Sequence, residues 1–178
     1  MEEKIKASVG VYAGTFKEGK ILLRRRVETS SLIADKSFKG CWELPGGGVR
    51  VTEDMPYSHL VNELKREVNE EVGIPITVDP MPPMYPVFFG KAQDLALVTL
   101  IETSLEPTKG ETKWVSFEEL NELARGYKPA NKEKREDGEG LVSGPGKRMH
   151  CMALRVFSVI GEHKEEATEM LQEIQKNW

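Results

Sequence analysis

The order of apolar and polar positions predicts mainly strands in the N-terminal part of the chain, interrupted by one long helix, and helices towards its C-terminus. Stretches rich in β-branched and aromatic residues predict strands at 5–16, 20–27, 74–78, 84–89, 94–102 and 113–116, and the stretch 42–49 leads the chain to the glycines. Apolar residues three or four positions apart predict helices at 56–72, 117–125, 148–160 and 162–176. This mixture predicts an α+β fold or an α/β/α sandwich, with a few helices packed on a mixed sheet.

The clearest helical pattern lies at 56–72, where apolar residues recur at four-residue steps. These residues are Leu60, Leu64, Val68 and Val72. We expect Asp54 or Met55 to cap this helix, Pro56 to be tolerated in its first turn, and Gly73 to end it.

The chain has 178 residues and is predicted to form a single domain with its own core. Its least regular stretch, 126–147, combines a charged run with several glycines and offers little to bury. We interpret it as a flexible loop, which either closes over a ligand or only connects its neighbours. The last helical stretch, 162–177, is interpreted as an accessory C-terminal helix.

Charge and composition argue against several classes of function, among them bulk nucleic-acid binding and membrane association. Asp plus Glu outnumber Lys plus Arg by 29 to 25, and the net charge of −4 gives no bulk attraction to nucleic acid or to an anionic membrane. The N-terminus lacks the apolar core of a secretory signal, and the longest apolar stretch, 95–101, is too short to span a bilayer. The two cysteines, Cys41 and Cys151, have no zinc-binding spacing. A cytoplasmic location without a membrane partner is therefore expected.

Three glutamates on helix 56–72 are the strongest candidates for chemistry. Glu67, Glu70 and Glu71 are spaced i, i+3 and i+4, so their carboxylates share one helix face. Like charges in this arrangement repel, and a divalent cation with a preference for oxygen ligands would relieve the repulsion. The upstream run 46–48 consists of glycines, whose backbone can approach a ligand closely. A solvated acidic helix face is the alternative interpretation.

These residues resemble the Nudix box, the signature of the Nudix (MutT-like) hydrolases. Gly47 and Glu53, separated by five residues, match the first half of the pattern, and residues 66–74 match the second half at every position. Twelve residues link the halves instead of the family's seven, a five-residue insertion of which four residues amount to about one helical turn. We expect the helix to begin near Pro56 and to absorb the insertion, whereas a start near Leu60 would make the insertion a loop.

The resemblance implies the Nudix fold, a mixed sheet between helices, and a site for Mg²⁺ or Mn²⁺. The implied metal ligands are Glu67, Glu70, Glu71 and a backbone carbonyl near Gly46. In some members the residue that matches Glu67 acts as the base. Arg66 would orient Glu67 or Glu53 through a bidentate ion pair. A turn carboxylate near a helix N-terminus is the alternative role for Glu53.

Residues outside the box could complete the site. Glu111 is the first candidate for a general base and Glu139 the second, and an ordinary surface glutamate is the alternative for both. Arg24 and Arg26, or Arg25 alone, could reach substrate phosphates, because alternate strand residues point to opposite faces. Solubilising charge is the alternative for these arginines. The implied backbone contacts to the substrate come from Gly47 and Gly48.

The predicted function is Mg²⁺-dependent hydrolysis of a diphosphate bond in a nucleoside diphosphate linked to another moiety. The substrate could be a nucleoside triphosphate, a nucleotide sugar such as ADP-ribose, or a dinucleotide, because the box does not choose among them. The alternative is a nucleotide-binding sensor module with the same fold and little catalysis. A homodimer is compatible with either function.

Overall fold

A computed structural model describes residues 8–26, 42–51, 54–89, 94–126 and 145–176 of the protein. Its strands are β1 (Ser8–Lys17), β2 (Lys20–Arg25), β3 (Trp42–Glu43), β4 (Gly46–Arg50), β5 (Met84–Phe89), β6 (Asp94–Glu102) and β7 (Thr112–Val115). Its helices are α1 (Tyr57–Val72), α2 (Phe117–Gly126), α3 (Pro145–Phe157) and α4 (Lys164–Lys176). These elements confirm the predicted α+β class, with the helix α4 at the C-terminal end.

The seven described strands form one mixed sheet around β1. On one side β1 runs parallel to β6, and on the other it pairs antiparallel with β4 along its first half and with β2 at its last residues. β2 also pairs with β3 and β7, and β5 lies beside β6, all antiparallel. β1 and β2 therefore diverge from their hairpin turn, and the chain from β3 to β4 lies in the gap between them.

Helices cover both faces of this sheet. α1 buries Leu64, Val68 and Val72 against one face, in a cluster that contains Leu22 of β2. Leu23 is the next residue of β2 and therefore faces the opposite side, where α2, α3 and α4 pack. No helix within the described ranges is long and apolar enough to cross a membrane.

The predicted strand 74–78 is wrong. Ile74 and Ile76 are buried beside α1, but this stretch pairs with no strand in the described part of the chain. Pro75 lies between them and has no N–H to donate to a ladder. The stretch 42–49 contributes to two strands, because the chain leaves β2 at Pro45 and crosses to β1.

The N-terminal end of α1 is where the sequence places it, although its cap differs. The helix begins at Tyr57, which confirms a start near Pro56. The predicted caps, Asp54 and Met55, are wrong. Pro56 is the N-cap, with an extended ψ of 147°, and its carbonyl accepts the first helical hydrogen bond from the His59 N–H. No side chain caps this end.

The start of α3 also differs from the prediction. This helix begins at Pro145, three residues earlier than predicted, and therefore includes the end of the predicted loop 126–147. Residues 127–144 of that loop lie outside the described residues.

The C-terminal end of α1 is held by the chain that precedes β7. Gly73 adopts a φ of +70°, and its N–H donates to the Asn69 carbonyl. The Thr108 N–H donates to the Val72 carbonyl, and the Lys109 ammonium donates to the Asn69 carbonyl. These bonds satisfy carbonyls that a helix end leaves without partners. A Cβ at Gly73 would lie 2.1 Å from Thr108 Oγ1, so both the backbone angle and the space require glycine.

We expect Gly73→Ala to lower the free energy of unfolding more than Gly19→Ala does. Both glycines have a positive φ, which costs an alanine about 1 kcal/mol, but a Cβ at Gly19 meets nothing within 4 Å. The clash with Thr108 should add about 1–3 kcal/mol to the loss in Gly73→Ala. Urea unfolding of both variants measures the difference, and equal losses would show that the loop before β7 does not hold the helix end.

Candidate active site

The chain between β3 and β4 places glycine backbone against both β1 and α1. Gly46 has a φ of +145°, and a Cβ there would lie 2.2 Å from the Val11 carbonyl oxygen and 2.7 Å from Tyr12 Cα. A Cβ at Gly47 would lie 3.1 Å from Cδ of Glu67. The absence of side chains at these two positions is therefore what allows the sheet and the helix carboxylates to meet.

Glu71 is the innermost of the three predicted carboxylates. Its Oε2 accepts a hydrogen bond of 2.9 Å from the Gly46 N–H, and its Oε1 lies 2.5 Å from Arg24 Nη2. Burial raises the pKa of Glu71 to about 7, while Arg24 and the Gly46 N–H lower it and the charges of Glu43 and Glu67 raise it. Glu71 therefore lies where burial disfavours the ionised form of its carboxyl group.

Arg66 contacts the outer carboxylates of α1. Its Nη2 lies 2.8 Å from Glu63 Oε2 and 2.5 Å from Glu67 Oε1, and its Nη1 lies 2.7 Å from Glu70 Oε2. The hydrogen bond to Glu63 raises the pKa of Arg66 and lowers that of Glu63. Two of the predicted metal ligands, Glu67 and Glu70, are thus held by one guanidinium group on the exposed side of the helix.

A second group of ion pairs is buried between β2, β3 and α1. Glu43 is 1% exposed, and its Oε1 lies 2.6 Å from Arg24 Nη2. Its Oε2 accepts a hydrogen bond of 3.1 Å from Arg26 Nη1. Burial raises the pKa of Glu43, and the two guanidinium groups act in the opposite direction. Arg24 and Arg26, the predicted phosphate ligands, are therefore both paired with carboxylates.

We refer to these eight side chains as the charge cluster. Its members are Glu43, Glu63, Glu67, Glu70, Glu71, Arg24, Arg26 and Arg66. With every group ionised, the five carboxylates and three guanidinium groups of these described residues carry a formal charge of −2.

The predicted ligands are not gathered around one point. Within the described residues, no three His, Cys, Asp or Glu side chains converge closely enough to hold a metal ion. The carboxylates of α1 instead contact guanidinium groups and the Gly46 N–H. Their chemistry still fits a hard divalent cation, because carboxylate oxygens beside a backbone without Cβ atoms are the donors that Mg²⁺ prefers.

Comparison with known protein families decides the family of this chain. The model of the NUDIX domain matches residues 4–136 of the 178. The chain belongs to the NUDIX family. This confirms the resemblance drawn from the box residues, and with it the enzyme class, a hydrolase of pyrophosphate bonds. No curated protein matches the chain.

Solved structures are similar to this NUDIX chain over much of its length. The fold is shared with a chain in the complex between the C-terminal domain of mouse MUTYH and human PCNA, at 15% identity and a TM-score of 0.50, covering 88% of this chain and 94% of that one. A MutT NUDIX hydrolase from Burkholderia pseudomallei is 26% identical with a TM-score of 0.42, covering 62% of this chain and 84% of that one. A bifunctional NMN adenylyltransferase/ADP ribose pyrophosphatase from Francisella tularensis, complexed with AMP and Mn ion, is 18% identical with a TM-score of 0.48. That match covers 67% of this chain and 37% of the bifunctional protein.

Three more of the predicted site residues take no part in the contacts described above. Glu53 and Glu139 lie outside the described residues. Gly48 lies on β4, opposite Gly10 of β1, and is exposed.

Glu111, the first candidate for a general base, is paired with Arg25. Arg25 Nη1 donates to both carboxylate oxygens of Glu111, at 3.2 and 3.3 Å. Arg25 follows Arg24 on β2, so its side chain leaves the face of the sheet opposite α1. The described contacts therefore do not bring Glu111 to the charge cluster.

An apolar pocket lies on the other face of the sheet, between β2, β3, α2 and α3. Its cavity volume is about 40 Å³, and its lining residues are Leu23, Trp42, Leu120, Leu123, Ala124, Met149, His150 and Ala153. Lys113 Nζ lies 4.3 Å from the centre of the Trp42 ring. Trp42 and Glu43 are neighbours on β3, so the pocket and the charge cluster lie on either side of the same strand.

His150 forms a polar contact at the wall of this pocket. It is 7% exposed, and its Nε2 lies 3.3 Å from Asn121 Oδ1. Burial lowers the pKa of His150 to about 4, so the ring is neutral at neutral pH. The Asn121 contact assigns the proton to Nε2 and leaves Nδ1, which has no hydrogen-bond partner among the described residues, as an acceptor.

Sequence reasoning missed Glu43 as a site residue. The signal was present, because a charged residue stands between Trp42 and Leu44 in an otherwise apolar run. Its partners Arg24 and Arg26 lie on another strand, and only the pairing of β2 with β3 shows that these groups meet.

We expect His150 to make the protein less stable in acid. An unfolded histidine binds a proton near pH 6.5 and the folded one near pH 4. Protonation between these values therefore favours the unfolded chain, and stability falls as the pH falls through this window. The loss is up to about 3 kcal/mol, and His150→Gln should remove it.

Urea unfolding at pH 7.5, 5.5 and 4.5 measures this effect. At pH 7.5 neither the wild type nor His150→Gln carries a charge at this position, so the difference between their unfolding free energies there reports packing alone. If the two unfolding free energies change in parallel between pH 7.5 and 4.5, the lowered pKa of His150 is contradicted.

Proposed function

We propose that the chain hydrolyses the diphosphate bond of a nucleoside diphosphate linked to another moiety, with Mg²⁺ or Mn²⁺ as its cofactor. The observation that carries this proposal is the charge cluster beside Gly46 and Gly47, with its formal charge of −2. A substrate diphosphate would add more negative charge at the same place, so it requires a cation there. The glycine backbone leaves room for a phosphate close to that cation.

Glu67, Glu70 and Glu71 would hold the metal, together with a backbone carbonyl near Gly46. When bound, Mg²⁺ or Mn²⁺ would polarise the phosphorus centre and lower the pKa of a bound water. Glu71 is fixed beside the glycine backbone by its hydrogen bond from Gly46, and Arg66 holds Glu67 and Glu70 from the outer side. Glu67, whose carboxyl lies against the glycine backbone, would act either as one of these ligands or as the base that accepts the proton of the attacking water.

Arg24 and Arg26 are our proposed ligands for the substrate phosphates. A guanidinium group carries five N–H donors, more than Glu43 and Glu71 engage on Arg24. The backbone of Gly47 and Gly48 would approach the same phosphates.

We expect Glu71→Gln to lower kcat by at least about a hundredfold, because it removes the charge of the innermost proposed ligand. Glu63→Gln is the matched control, since Glu63 also contacts Arg66 on α1 but lies one turn away from the proposed ligands. We expect it to stay within about threefold of the wild type. The measurement is the loss of intact substrate and the appearance of its phosphate-ester products by anion-exchange chromatography, for a panel of nucleoside triphosphates, nucleotide sugars and dinucleotides, with and without Mg²⁺.

Two outcomes of this panel count against the hydrolase. Near-normal turnover by Glu71→Gln would refute the assigned metal ligands. No turnover by the wild type on any substrate, together with tight nucleotide binding, would favour the sensor module instead.

A further inference from the structure

Glu43 is buried more deeply than a purely structural role explains. Among the described residues it is the one Asp, Glu, Lys or Arg side chain that is fully buried. Burying a carboxylate with its partners costs desolvation free energy, and apolar residues of the same volume often stabilise a protein equally well or better. The presence of Glu43 in an apolar strand is therefore better explained by a contribution to the neighbouring site.

The contact between Glu43 and Arg24 leaves hydrogen-bonding capacity unused. Oε1 of Glu43 and Nε of Arg24 are both buried, and neither has a hydrogen-bond partner in the described part of the chain. The 2.6 Å contact from Oε1 to Arg24 Nη2 is an ion pair that lacks hydrogen-bond geometry. The same Nη2 lies 2.5 Å from Glu71 Oε1. Arg24 therefore contacts two carboxylates through the same nitrogen and forms a bidentate ion pair with neither of them.

We propose that Glu43 is a positioning residue that receives Arg24 when Glu71 turns towards a divalent cation. The inference rests on the proposed function, because it assumes that Glu71 is a metal ligand. On leaving Glu71, Arg24 can donate from both Nε and Nη2 to the two oxygens of Glu43, the bidentate geometry that guanidinium and carboxylate groups favour. This exchange satisfies the two unpaired atoms, and it leaves Nη1 of Arg24 for a substrate phosphate.

The exchange makes cation binding depend on Glu43. Without the Glu43 carboxylate, Arg24 keeps Glu71 as its one carboxylate partner among the described contacts. It would then compete with the cation for the same oxygen. Glu43→Gln also removes a negative charge, which weakens cation binding for a simpler reason, so the test must separate these two effects.

A double-mutant cycle on the full chain separates them. Calorimetric titration with Mn²⁺ compares the wild type, Glu43→Gln, Arg24→Gln and the double variant. We expect Glu43→Gln to weaken Mn²⁺ binding at least about fivefold in the wild-type background and less than about twofold when Arg24 is absent. Equal weakening in both backgrounds would mean that only bulk charge matters, and would overturn the proposal.

Arg26→Gln provides the matched control background. Arg26 contacts Glu43 but forms no described pair with Glu71. The effect of Glu43→Gln should therefore persist there. Its disappearance would show that any disturbance of Glu43 has the same result, which also contradicts an exchange through Arg24.

A spectroscopic measurement on the wild type covers the case in which a variant does not fold. Saturating Mg²⁺ should shift the Nε–H signal of Arg24 in nuclear magnetic resonance spectra and slow its exchange with water, because that proton gains an acceptor. An unchanged signal would overturn the proposal.

The Mn²⁺ titration of Glu71→Gln distinguishes this failure from failure of the proposed function. Equal binding by the wild type and Glu71→Gln would refute both. Loss of binding in Glu71→Gln, with normal binding in Glu43→Gln, would refute only the role of Glu43.

Discussion

The close approach of α1 to the backbone at Gly46 and Gly47 is the constraint on which the site depends. At Gly46 the chain touches β1 on one side and donates to Glu71 on the other, so sheet, helix and connecting segment meet at one residue. A side chain here would have to displace either β1 or α1. Because hydrogen bonds weaken steeply with distance and angle, even a small displacement would separate the carboxylates from the backbone.

The repulsion among the carboxylates of α1 is reduced in two different ways. On the solvent side, Arg66 alone contacts three glutamates, where water screens the remaining repulsion. On the buried side, screening is weak, and Glu71 faces a guanidinium group that a second carboxylate, Glu43, also holds. The outer half is therefore adaptable, whereas the inner half has a fixed set of partners.

Local sequence patterns predicted the helix that carries the candidate site. The other parts of the site depend on contacts between residues that are distant in sequence. The periodic leucines and valines of α1 and the glycine that ends it depend on neighbours in sequence, and both were confirmed. Isoleucines at 74 and 76 suggested a strand equally well, but propensity cannot show whether a partner strand is available. The role proposed for Glu43 depends on the register of β2 against β3, which no local pattern contains. The apolar pocket likewise exists only because α2 and α3 meet over β2.

The hydrogen bonds from Thr108 and Lys109 to the last turn of α1 fix the C-terminal end of this helix. Glu67, Glu70 and Glu71 lie within two turns of Gly73, so their positions are set from there and not from Pro56. The helix is therefore fixed at its C-terminal end, whereas no described side chain caps its N-terminal end. The first turn presents Tyr57, which is 54% exposed. A change in that turn would then alter the outer surface of the molecule before it moved Glu67, Glu70 or Glu71.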